Sequence, residues 1–190
     1  MSGRDVLLST VIALTASGLA GGCSERPARQ PDLIQEPPEH AAMDRLLRDF
    51  IHHPSASVSI QQGTEHFDDG VITLVVRGDG TATVEQLRAG TKQRFTKSLA
   101  ADRIAAVGTA LAEHHVTRAR TSKLPRSPGD TPLVLRVDGD SGAAFRADLW
   151  YGDRYTDRDL DAILRLADVL VHEITGGALG QPVPDARTTP

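Results

Sequence analysis

The stretch Val71-Ile72-Thr73-Leu74-Val75-Val76-Arg77-Gly78-Asp79-Gly80-Thr81-Ala82-Thr83-Val84-Glu85-Gln86-Leu87 decides the fold class. Residues 71–77 are β-branched and apolar, Gly78-Asp79-Gly80 is turn chemistry, and residues 81–87 return with Ala82 and Val84 on one face. The segment therefore predicts a β-hairpin. Just upstream, Ala56-Ser57-Val58-Ser59-Ile60 alternates strictly and reads as a further strand. Downstream, Ser98 is placed to cap a helix from 99 to about 114, whose Ile104, Val107, Gly108 and Leu111 share one face.

The same order then recurs. Leu133, Leu135 and Val137 alternate with Val134 and Arg136, residues 138–142 turn, and Phe145, Ala147 and Leu149 alternate with Arg146 and Asp148. Thr156 with Asp159 makes a start resembling a capping box. Leu160, Ile163, Leu164, Ala167, Leu170, Val171 and Ile174 then form an apolar stripe that Gly176-Gly177 ends. Two strand–strand–helix units predict an α+β fold: an antiparallel sheet built from two β-hairpins with two main helices packed on one face, a two-layer sandwich. Its roughly 120 residues suffice to bury about two thirds of the unfolded surface.

Before this domain, Met43, Leu46, Leu47, Phe50 and Ile51 recur at helical spacing. Asp44/Arg48 and Arg45/Asp49 pair on the other side, and Pro54 ends the pattern. With charges summing to zero, this helix is expected to dock on the domain and not on an anionic membrane. Residues 24–40 hold Pro27, Pro31, Pro37 and Pro38 among polar neighbours and read as a tether, up to ~50 Å long in polyproline geometry. The expected organisation is a signal peptide at 1–22, a lipidated Cys with its Pro-rich tether at 23–40, the amphipathic helix at 41–55, the α+β domain at 56–178 and a disordered tail at 179–190.

The signal peptide rests on a charged start, an apolar core of about 15 residues from Val6 to Ala20, and Gly21-Gly22-Cys23. The core is short of the ~20 apolar residues of a membrane span and is interrupted by Ser9, Thr10, Thr15, Ser17 and Gly18. Cys23 is the chain's only cysteine. Leu19-Ala20-Gly21-Gly22-Cys23 resembles the lipobox of bacterial lipoproteins, with Ala20 where Leu is usual. That resemblance implies diacylation of the Cys23 thiol and attachment of an extracytoplasmic domain to a membrane. Ordinary secretion without lipid, by cleavage after Gly18-Leu19-Ala20, is the alternative. Ser24 lacks the Asp that signals inner-membrane retention in enteric lipoproteins, which implies the outer membrane in a host that has one.

The hairpin of residues 71–84, the helix from Ser98, Gly129-Asp130-Thr131-Pro132 before residues 133–139, and the closing helix together resemble a domain of unknown function common in bacterial lipoproteins. The resemblance covers roughly residues 71–175. It implies location and fold, with no reaction, cofactor or catalytic residue. Members commonly carry a Cys pair before the first hairpin, where this chain has His66-Phe67-Asp68-Asp69-Gly70, so no role of that pair carries over.

The chain has 190 residues, 39% apolar and 24% charged, with net charge −4. Loss of Arg4 and Asp5 with the leader removes one charge of each sign, so general attraction to nucleic acid is excluded. Gly139-Asp140-Ser141-Gly142 matches the serine-protease tetrapeptide, and Asp138-Gly139-Asp140 starts like a calcium loop, but hairpin closure explains both. Arg77-Gly78-Asp79 is likewise turn chemistry. The pairs His52-His53 and His114-His115 lack companion ligands at chelating spacing, and no phosphate-cradling loop opens a helix, so no metal, cofactor or catalytic set is expected.

Two features stand out. Trp150, Tyr151 and Tyr155 place three of the seven aromatics within six positions, a candidate contact for a protein or polymer partner. Residues 88–126 hold nine bases against Asp102 and Glu113. Among them Arg118, Arg120, Lys123 and Arg126 form a candidate patch facing an anionic envelope component. The expected function is a lipid-anchored, non-catalytic binding or structural module, the alternative an envelope enzyme whose site the sequence does not reveal.

Overall fold

Alternation along the strands sends one set of side chains inward, and the chain is organised around that face. A computed structural model describes residues 38–66, 68–123, 125–126, 129–140 and 142–180. The expected leader, Cys23, the tether up to residue 37 and the tail from 181 lie outside the described residues. The order is α1 (Pro38–Arg48), β1 (Ser57–Gly63), β2 (Val71–Arg77), β3 (Thr81–Arg88), β4 (Thr91–Ser98), α2 (Ala101–Glu113), β5 (Pro132–Asp138), β6 (Ala144–Trp150) and α3 (Arg158–Thr175). Short 3-10 turns occupy Phe50–His52, Val116–Arg118 and Tyr151–Tyr155.

The strands form one six-stranded sheet in the order β4-β3-β2-β1-β5-β6, antiparallel throughout, so the architecture is α+β. Register places Val84, Leu74, Ile60, Leu135 and Ala147 in one row across the sheet, and Ala82, Val76, Val58, Val137 and Phe145 in the next. All of these except Phe145 are buried. Val107 and Leu111 of α2 and Leu166, Ala167 and Leu170 of α3 close on Val58, Ile60, Leu74 and Val76. Each fully buried Leu, Ile or Val removes apolar surface worth about 1.5–3 kcal/mol from water. Met43 and Leu47 of α1, with Phe50, belong to the same core. The Thr117 hydroxyl donates to the buried Asp44 carboxylate at 3.0 Å, clasping α1 to the end of α2. Among the described residues no helix is long and apolar enough to cross a membrane.

Both expected hairpins are present, β2–β3 and β5–β6, as is the strand expected at 56–60, which is β1; the sheet has one further strand, β4. β1 joins the hairpins by pairing with β2 and β5. β4 lies where the sequence showed no strand and corrects the expected helix cap: Ser98 ends this strand, and Ala100 holds the N-cap position of α2 with no side-chain bond. Its sequence hid it for a physical reason. Only Phe95 is apolar, because an edge strand has one neighbour and its Lys92, Arg94 and Lys97 blunt the free edge. The turn from β3 is the pair Ala89-Gly90, both at positive φ (46° and 74°), where Asn-Gly would be the readable signal.

The start of α3 is also corrected. Asp157 is its N-cap, accepting from the N–H groups of Asp159 and Leu160 at 3.0 Å each, while the Thr156 hydroxyl donates to the Asp153 carbonyl. Gly176, at φ +63°, ends the helix as expected. Leu179, assigned to the tail by sequence, packs against the core and donates its N–H to the Thr175 hydroxyl.

Candidate functional site

At the corner where β6 gives way to the turn at Tyr151–Tyr155, one buried carboxylate organises the backbone. Asp153 is 1% exposed. Its Oδ2 accepts from the Trp150 N–H at 3.0 Å, and its Oδ1 accepts from the Ser122 N–H at 3.0 Å and from Arg126 Nη1 at 2.7 Å. Burial alone would raise the Asp153 carboxyl, but the bonds from Arg126, Trp150 and Ser122 outweigh it and hold it well below the usual carboxylate range. The Asp130 carboxylate accepts from the Gly152 N–H at 2.8 Å and lies 3.6 Å from Arg126. Together Asp130 and Asp153 bind the segment before β5 to the end of β6.

This frame sets out the aromatic residues. Arg126 lies over the Trp150 ring, 5.5 Å from its centroid. Tyr151 is half-buried; Arg154 lies over its ring at 4.8 Å, donates to its hydroxyl, and is paired with Asp161 at 2.6 Å. Burial pushes the Tyr151 hydroxyl pKa up, with Arg154 opposing, so the phenol stays neutral at physiological pH. Burial likewise raises the nearby Asp168 carboxyl. Trp150 is 37% exposed and Tyr155 82%.

Two open depressions meet at Tyr151. One, about 400 Å³, is lined by Ser122, Pro125, Arg126, Gly129, Asp130, Thr131, Tyr151, Gly152, Tyr155 and Thr156. The other, about 300 Å³, is lined by Gln62, Gly63, Asp69, Gly70, Ile72, Thr131 and Tyr151. Because they share Thr131 and Tyr151, they form a strip across one end of the sheet, past the end of β1, the start of β2, the start of β5 and the end of β6. Of the expected aromatic cluster, Tyr151 and Tyr155 line this concave surface, with Arg126 of the basic segment beside them, whereas Trp150 is not part of the lining and lies under Arg126.

Four other bases of that segment are paired elsewhere. Lys92 and Arg94 share Glu85 at 2.9 and 3.5 Å, and Lys97 and Arg103 share Glu173 at 3.1 and 3.2 Å. Arg118 lines a different depression with His114, His115, Asp157 and Asp159. Arg120 and Lys123 are exposed on the way to Arg126. Glu85, on the neighbouring strand β3, and Glu173, far along the chain in α3, thus offset part of what reads locally as a positive run.

Arg77-Gly78-Asp79 leads into the turn between β2 and β3, where Asp79 accepts from the Thr81 N–H at 2.8 Å. Ser141, the serine of the protease-like tetrapeptide, lies outside the described residues. Asp140 accepts from the Ser55 hydroxyl at 2.5 Å and lies 2.8 Å from His53 Nδ1, pinning the β5–β6 turn to the chain before β1. Ser55 bonds the carboxylate and not the imidazole, which is not the relay of a nucleophilic serine. Among the described residues no group of three or more His, Cys, Asp or Glu is arranged to hold a metal ion.

Sequence reasoning missed Asp130, Thr131, Asp153, Gln62 and Asp69 as parts of this surface. Asp153 had a readable signal, an acid three positions beyond a strand end, the spacing that returns a side chain to an N-terminal N–H. The others are brought in by sheet order alone. No protein-family model matches the chain, and comparison with curated proteins finds no match.

Proposed function

We propose that this protein is a lipid-anchored, extracytoplasmic binding module, of the kind its hairpin–helix order resembles, whose partner seats on the strip at the sheet end. The observation that carries the reading is the meeting of exposed Tyr155 with fixed Tyr151 and Arg126 at a concave surface. Trp, Tyr and Arg dominate the energetics of recognition surfaces. Asp130 and Asp153 are already bonded to backbone N–H groups and Arg126, a use that suits a rigid platform better than proton transfer. Of the candidate patch Arg118, Arg120, Lys123 and Arg126, only Arg126 is among the residues lining the strip, and partner contact is assigned to the aromatic end. Within this proposal the domain is a two-layer sandwich of two hairpin–helix units, β2–β3 with α2 and β5–β6 with α3. Cys23 tethers it to the outer membrane in a host that has one.

Anchoring and binding are tested separately. Intact-mass analysis with fractionation is expected to find the wild type in membranes with a diacylglyceryl group on Cys23, and Cys23→Ala released. A soluble wild-type chain beginning at Gly21 would reject the anchor and leave the secreted alternative. For binding, a photoreactive benzoylphenylalanine at position 155 of the full chain in its native envelope is expected to form an adduct that the same group at position 96, on β4, does not. Equal labelling at both positions, or none at 155, would reject the strip as a binding site.

A further inference from the structure

On the reading that the strip is a binding site, we infer that its occupant is an uncharged glycan chain. The first argument is position. The strip crosses the ends of β2, β1, β5 and β6. A peptide held by strand addition needs the row of free N–H and C=O groups along a sheet edge, and a surface across strand ends does not offer that row. Recognition there falls to side chains.

The second argument is the side chains themselves. Tyr155 presents exposed ring surface, Tyr151 is immobilised under Arg154, and Trp150 stands outside the lining beneath Arg126, close enough to report on it. Around them stand the Gln62 amide, the Asp69 and Asp130 carboxylates and the Thr131 and Thr156 hydroxyls. A sugar ring has an apolar C–H face and a rim of hydroxyls, each donor and acceptor. Aromatic faces match the first, and carboxylate, amide and hydroxyl groups match the second.

Charge selects against the alternatives. The lining has one guanidinium and two carboxylates, and Arg126 is bound to Asp153 and lies near Asp130, so an anionic partner meets no unpaired cation. A cationic partner meets the Arg126 guanidinium in the lining. Four neighbouring strand ends span ~14 Å at the usual strand spacing, room for a run of sugar rings and not only one.

The test is titration of the purified full chain in detergent with cellotetraose and chitotetraose, read by calorimetry and by the fluorescence of Trp150, the only tryptophan. Saturable binding of at least one is expected, weakened tenfold or more in Tyr155→Ala, whose exposed side chain makes the variant a mild one for folding. Sulfated cellotetraose is expected to bind at least tenfold more weakly than cellotetraose. The inference is overturned by no saturable response to either neutral glycan, by equal or tighter binding of the sulfated probe, or by unchanged affinity in Tyr155→Ala. A protein adduct at position 155 without glycan binding would overturn the glycan and leave the strip as a binding site; absence of both would remove the strip itself.

Discussion

Replacing Asp153 with alanine is expected to remove about 3 kcal/mol of folding stability, the low end of what breaking a buried ion pair costs. Two backbone N–H groups, those of Trp150 and Ser122, lose their acceptor, and a buried orphan costs about 1–3 kcal/mol. Arg126 contributes less, since its side chain is 30% exposed and keeps Asp130 within 3.6 Å. Against a total of about 5–15 kcal/mol for a natural domain, the loss is large. Urea unfolding followed by far-ultraviolet circular dichroism measures it, and a wild-type midpoint would show that other contacts hold the corner.

Acid adds a second readout. The folded carboxyl of Asp153 lies below its unfolded value, so its contribution is complete above about pH 4 and is lost as pH falls through the carboxylate range toward the lowered value. Stability of Asp153→Asn should therefore fall less steeply as pH drops below about 4. It should not become flat, because Asp161 and Glu173 are also held low by cationic partners.

The fold class was legible where burial imposes a period. Residues 71–87 and 133–149 alternate because one face of each hairpin meets the core, and residues 160–174 carry a full apolar stripe for the same reason. The strand β4 was not legible, because an edge with one neighbour imposes almost no pattern. The aromatic cluster could be found in the sequence because its members are adjacent. Its surroundings could not, since Gln62 and Asp69 reach Tyr151 only through the placement of β1 beside β5, a pairing no local pattern announces. The ion pairs within the basic run were hidden for a like reason: Glu85 and Glu173 lie outside the segment, and folding brings them to Lys92, Arg94, Lys97 and Arg103.

Gly108 shows how a residue can be placed on the right face while its purpose stays hidden. It lies in α2 among Ile104, Val107 and Leu111, where alanine would favour the helix by about 1 kcal/mol if intrinsic propensity alone decided. A Cβ at 108, however, would stand 2.2 Å from the Leu47 carbonyl oxygen and 2.7 Å from Phe50 Cβ. Neither neighbour is a movable side-chain end: both residues are fully buried, and the oxygen belongs to the backbone of α1. The helices must separate or bend, and overpacking of this kind costs about 1–3 kcal/mol or more. Separation would also stretch the 3.0 Å bond from Thr117 to Asp44, a further loss of about 1 kcal/mol. The steric penalty exceeds the propensity gain, so Gly108→Ala is expected to be about 2 kcal/mol less stable, with faster amide exchange along α1. Ala106→Gly, at an exposed position of the same helix, isolates propensity and should cost about 1 kcal/mol. Thermal unfolding of both variants distinguishes the effects. A Gly108→Ala protein that melts above the wild type would mean that α1 and α2 have room for a methyl group, and that the approach of the two helices is set by the apolar residues around Gly108 instead.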